Sequence, residues 1–99
     1  MIPKELDYQR IKEIYEKLTP FIKKTPLLHT SKSIEKMFNA NLFLKLEFLQ
    51  HSGTFKARGA LNNILSIKQD KLKNGITTVS AGNHAIAASY VCLLYTSDA

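Results

Sequence analysis

Early in the chain, Ile11, Ile14, Tyr15, Leu18 and Ile22 recur at helical spacing, while Lys12, Glu13, Glu16 and Lys17 occupy the other face. This pattern predicts an amphipathic helix within residues 5–22, with Glu13 and Lys17 placed four apart as a supporting pair. Thr19-Pro20 ends it, because the residue before a proline avoids the α region. Thr25-Pro26-Leu27-Leu28 reads as extended chain. A short helix follows around residues 33–38, with Ser31 or Ser33 as its cap, and Asn39-Ala40-Asn41 makes a turn. Residues 42–49 are nearly continuous Leu and Phe, interrupted only by Lys45 and Glu47, which predicts a strand covered on both faces. After His51-Ser52-Gly53 comes a second amphipathic pattern, with Ala57, Ala60, Leu61, Ile64 and Leu65 on one side and Arg58, Asn62, Asn63 and Ser66 on the other. Asn74-Gly75 is a turn, Ile76-Thr77-Thr78-Val79-Ser80 a β-branched strand, Ala81-Gly82-Asn83 a tight loop, and residues 85–91 the start of a helix of small residues.

Alternating helices and strands of this kind predict an α/β fold with parallel strands and right-handed crossovers. The two polar connections that contain glycine, residues 50–54 and 80–84, each follow a strand and precede a helix. In an open α/β sheet such loops lie at the carboxyl edge of the strands, where ligands bind, and this placement nominates Lys56 and Asn83.

Composition narrows the class further. Ninety-nine residues allow one small domain, and four Gly, three Pro and one Cys exclude a collagen-like repeat and a disulfide scaffold. No apolar run approaches the length of a membrane span, no apolar run follows the N-terminus as a secretory signal would, and one Cys suits a reducing compartment. A cytoplasmic protein without a membrane partner is the expectation. The formal charge of +6 (pI ≈ 9.6) raises nucleic-acid binding. Its distribution argues against that partner. The excess is scattered lysine, and the only arginines are Arg10 and Arg58. A small basic module for nucleic acid or another anion remains an alternative on charge alone. His29, His51 and Cys92 have no neighbours at metal-ligand spacing, so no metal is expected.

Ser52-Gly53-Thr54-Phe55-Lys56-Ala57-Arg58-Gly59-Ala60 sets a lysine in the first turn of a helix. The positive end of the helix dipole disfavours a cation there and favours the neutral amine, the form that attacks a carbonyl. Position alone also allows an ordinary solvent-facing lysine. The segment resembles the lysine motif of the fold-type II pyridoxal-phosphate enzymes, which include threonine and serine dehydratases and serine racemase. The resemblance runs from Thr25-Pro26-Leu27, through Leu44-Lys45-Leu46-Glu47 and Leu49-Gln50, to Ser80-Ala81-Gly82-Asn83-His84-Ala85. It implies part of a parallel, doubly wound sheet domain of the tryptophan synthase β-like fold. It also implies pyridoxal 5'-phosphate as cofactor, held through its aldehyde by the Lys56 amine, beside Phe55 and with Asn83 bonded to the ring's phenolic oxygen. Ser80, Asn83 and His84 would line the place of the substrate carboxylate. A helix start with free N–H groups suits a carboxylate, and Gly82 lets the backbone approach closely. A capped helix start without any ligand is the other reading of Asn83 and His84.

Two positions point to a branch. Ala57 follows the lysine where cysteine-synthase and threonine-synthase relatives carry Asp, which resembles the dehydratases. Ala81 stands where mammalian-type serine racemases carry a second Ser, so one of two racemising bases is missing. The implied reaction is β-elimination from L-Thr or L-Ser to a 2-oxo acid and ammonia. The alternative is racemisation or another elimination on the same scaffold. Ile86, where dehydratases often have Gln, departs from the pattern. The resemblance stops at about Val91, and Cys92-Leu93-Leu94-Tyr95-Thr96-Ser97-Asp98-Ala99 matches one reading frame of a common transposon-end sequencing adapter. Residues 1–91 are therefore expected to be an N-terminal fragment of the catalytic domain and residues 92–99 a non-native tail. The fragment would be inactive alone, because the family's later Gly-rich phosphate loop is absent, and the parent would be a homo-oligomer acting on a free amino acid.

Overall fold

The computed structural model describes residues 3 and 6–96. Helix α1 (Tyr8–Leu18) starts at Asp7, whose carboxylate accepts the Arg10 N–H, and ends at Thr19, before Pro20. Glu5, the predicted start, lies outside the described residues. The expected Glu13–Lys17 pair does not form. Glu13 instead meets Arg10 at 3.7 Å, and Lys17 donates to Ser66 Oγ at 3.3 Å, tying α1 to the end of helix α3 (Lys56–Leu65).

Strand β1 (Leu27–His29), helix α2 (Lys32–Phe38) and strand β2 (Phe43–Lys45) follow. At the start of α2, Ser31 and Ser33 hydrogen-bond each other at 3.0 Å, and Ser31 makes no side-chain cap bond to the helix. Asn39 closes α2 in the left-handed conformation (φ 50°) and turns the chain back, so β2 runs antiparallel to β1 with Leu27 opposite Lys45 and His29 opposite Phe43. Thr30 ties off the far end with its N–H and hydroxyl on the Leu42 carbonyl. The predicted strand over residues 42–49 is thus shorter. It ends at Lys45 and passes into a 3-10 turn, Glu47–Leu49. Both of its faces are open, with Phe43 and Leu44 exposed.

The predicted strand over residues 76–80 does not form, and no parallel pairing occurs among the described residues. A strand exists only through a ladder, and among the described residues the one ladder joins β1 to β2 and leaves residues 76–80 out. Helix α4 (Gln69–Leu72) was not foreseen, and helix α5 (Asn83–Thr96) begins earlier than predicted. It continues into the proposed tail, whose residues 97–99 lie outside the described set.

The core is helical. Leu18 of α1, Ala60, Leu61 and Ile64 of α3, and Ala87 and Val91 of α5 are buried together, with Ile14, Ile22, Leu65 and Tyr90 packed around them. Small residues on the facing surfaces let α3 and α5 approach closely, and Leu61 and Val91 fill the space between. Leu61→Ala is expected to lower unfolding free energy by about 2–5 kcal/mol, a large share of so small a core's stability, read from denaturant unfolding followed by circular dichroism.

Candidate active site

Lys56 is the first residue of α3 and is reached through a strained loop. Ser52 (φ 65°) and Gly53 (φ 79°) are successive left-handed residues that reverse the chain between Gln50 and Thr54. The serine accepts a conformation that favours glycine, and its Oγ is shut off from solvent with no hydrogen-bond partner. His51 holds this loop against α5 by stacking on Tyr90, ring centroids 5.1 Å apart. Burial pushes the Tyr90 phenol above its ordinary range.

Along one face of α3, Lys56, Gly59, Ala60 and Asn63 form a groove of about 260 Å³, walled by Phe55 and, from α5, by His84. The Lys56 amine sits 5.6 Å from the centroid of the Phe55 ring. Phe55 is 58% exposed and Lys56 is exposed too, so the groove opens to solvent at this end. The fold brings Lys56, Phe55 and His84 together. Ser80 and Asn83 do not line the groove: Asn83 is the exposed first residue of α5, and the Ser80 hydroxyl is occupied locally, accepting the Gly82 N–H at 3.2 Å. Gly59, Ala60 and Asn63 were missed, although three, four and seven residues beyond Lys56 place them on its helical face.

A second constellation lies behind the lysine. Glu47 receives two parallel bonds from Arg58, Nε to Oε2 at 2.8 Å and the terminal nitrogen to Oε1 at 2.9 Å, and also accepts the hydroxyl of buried Thr25. Lys45 Nζ donates to the Thr25 carbonyl at 2.6 Å. Buried Gln50 completes the tie between the two segments, accepting the Lys23 N–H at 2.9 Å and donating to the Lys23 carbonyl at 2.8 Å. The motif residues around Thr25, Glu47 and Gln50 therefore serve one polar network.

The described residues contain no group of three or more metal-ligating side chains, and no helix among them is long and apolar enough to cross a membrane.

The family model for pyridoxal-phosphate dependent enzymes matches residues 18–98. The chain belongs to this family, in its fold-type II group. It is 43% identical over 83 residues to a serine racemase of Arabidopsis thaliana, covering 84% of this chain and 25% of that protein. A catabolic L-threonine dehydratase of Staphylococcus aureus is 38% identical over 89 residues, 90% of this chain and 26% of that protein. The solved structure of maize serine racemase superposes with a TM-score of 0.78 at 36% identity, covering 90% of this chain and 28% of the other. The chain thus spans about a quarter of the length of the curated relatives it matches. Members of the family use pyridoxal 5'-phosphate. The groove suits a planar aromatic aldehyde: an amine at its mouth, a flat ring beside it, and a small-residue wall where even a Cβ on Gly59 would meet nothing within 4 Å.

The hydrogen bonds from Arg58 hold the Glu47 carboxyl down from 4.5 to about 2, against the opposing effect of burial and with help from Thr25, the Arg58 charge and Lys45. Glu47 also raises the Arg58 guanidinium. Because the folded carboxyl lies below its unfolded value, its stabilisation is fully present above about pH 4.5 and is lost as pH falls toward 2. Glu47→Gln is expected to flatten this acid limb, measured as the denaturation midpoint between pH 7 and pH 2.5.

Proposed function

We propose that this chain is the lysine-bearing part of a pyridoxal-phosphate-dependent ammonia-lyase acting on L-threonine or L-serine in the cytoplasm, with residues 92–99 foreign to it. The observation that carries the proposal is the groove joining Lys56, Phe55 and His84. Lys56 Nζ would hold the cofactor through its aldehyde carbon, with Phe55 against the ring. When bound, the cofactor draws electrons from the substrate α-carbon and makes its proton removable. The Lys56 amine would take that proton at Nζ. His84, on the groove wall at the start of α5, would orient the substrate carboxylate, where the helix N-terminus favours an anion. Loss of the β-hydroxyl as water leaves, after hydrolysis, a 2-oxo acid and ammonia.

Ala57 and Ala81 favour elimination. Ala81 offers no proton donor or acceptor for the second half of a racemisation. Racemisation is the second reading, favoured by serine racemases of Arabidopsis thaliana and Dictyostelium discoideum at 43% and 42% identity. Incubation of the full-length protein with L-Thr, L-Ser and D-Ser separates the two. Release of 2-oxo acid supports the lyase, and inversion without it supports the racemase.

Two further outcomes are expected. Lys56→Ala removes the borohydride-fixed cofactor label from position 56 and lowers turnover by at least about 10²–10⁴-fold; retained turnover in this variant overturns the assignment. Sequencing of the gene is expected to show different codons after position 91, and recovery of the same ones overturns the foreign tail.

A further inference from the structure

Helix α3 has little hydrogen bonding at its own start to fix it beyond the packing of buried Ala57. Its capping residue, Phe55, is already in the α conformation and makes no side-chain cap bond, and the Lys56 N–H finds only Thr54 Oγ1 at 3.3 Å. The loop before it is the left-handed Ser52-Gly53 reversal. The polar anchor nearest the lysine is Arg58. Two residues along a helix, at about 100° each, place Arg58 on nearly the opposite side from Lys56. The surroundings agree: Lys56 lines the groove with Gly59, Ala60 and Asn63, whereas Arg58 faces Ile14, Tyr15 and Leu18 of α1. From there it reaches Glu47, whose carboxylate is 15% exposed and lies two residues past β2. Thr25, on the same carboxylate, lies two residues before β1.

We propose that Glu47, Arg58 and Thr25 form a clamp that sets the rotation and height of the first turn of α3, and thereby the position of the Lys56 amine. The clamp is fit for that task because a bidentate pair fixes orientation as well as distance. Its frame is rigid, since Thr25 and Glu47 border two strands hydrogen-bonded to each other and Lys45 braces the Thr25 carbonyl. Freeing Arg58 lets the helix start turn about its axis, and a displacement of about 1 Å at a reacting group costs on the order of 10²-fold in rate. Glu47, Arg58 and Thr25 are positioning residues, acting through Lys56. The inference rests on Lys56 being the amine that holds pyridoxal phosphate.

The test uses the full-length, cofactor-loaded protein with Glu47→Gln, Arg58→Lys and, as a control, Leu61→Ala. Glutamine keeps the shape and loses the charge; lysine keeps the charge and loses the fork. Leu61→Ala weakens the core without touching the clamp. Three quantities are read: melting temperature, the rate at which borohydride fixes cofactor on Lys56 in the folded fraction, and kcat against KM. The expected result is a fixation rate at least about 10-fold lower in both clamp variants, with kcat down about 10- to 100-fold and KM nearly unchanged. Leu61→Ala melts lower yet fixes cofactor at the unmodified rate. Should Glu47→Gln fail to fold, Arg58→Lys decides alone. Fixation at the unmodified rate in the folded clamp variants, or a loss that the control shares, overturns the clamp and leaves the function standing. Absence of label on Lys56 in the unmodified protein overturns both.

Discussion

A carboxylate withdrawn from water has to find its hydrogen bonds inside the protein, and Glu47 finds them on two other stretches of chain, so that three are joined. Arg58 brings the first turn of α3, Thr25 brings the segment leading into β1, and Glu47 itself follows β2. Such a pair adds little net stability over a well-packed apolar replacement, yet removing one partner strands a charge. Its contribution is geometrical. The apolar core holds α1, α3 and α5 against one another through Leu18, Leu61 and Val91, but packing of this kind tolerates small rotations. The polar tie removes that freedom at the end of α3 where the lysine stands.

How much of this could be read from the sequence depended on whether the governing interaction was local. Helices α1 and α3 were legible because periodic apolar residues and the Pro20 boundary act within a few residues, and α5 because a run of small residues follows a tight loop. The turn at Asn39 was legible for the same reason. The strands were not, because apolar content says that a segment wants covering and not what lies beside it. Residues 42–49 read as one strand, but a ladder forms only for Phe43–Lys45, where β1 is alongside. Residues 76–80 have good β-branched character and no ladder partner, and Val79 stands fully exposed.

The candidate site divides along the same line. Lys56 and Phe55 are adjacent in sequence, and the motif that contains them already sets the amine at a helix start. His84 joins them only because α5 packs on α3, a long-range event that the family resemblance carried and periodicity did not. The Glu47–Arg58 bond was invisible for a plainer reason: two charged residues eleven apart across a loop carry no local sign of pairing until the loop's left-handed turn folds them together. Thr25 and Gln50, the chain's buried polar residues among those described, gave no signal of burial by type, since such residues are mostly exposed.

Elimination and racemisation share their first proton transfer, so nothing on the Lys56 side of the groove separates them. The difference lies in what waits on the opposite face of the substrate. A racemase needs a second group there that can return a proton, whereas an eliminating enzyme needs the β-hydroxyl to leave before any proton returns. In this chain the loop that would supply the second group carries Ala81, and the adjacent Ser80 hydroxyl is turned onto the Gly82 N–H. Besides Lys56 at the start of α3, the loops at residues 50–54 and 80–84 carry the ring nitrogens of His51 and His84 as their titratable groups. His51 is engaged by Tyr90. Of the two, His84 is the one that stands on the wall of the Lys56 groove.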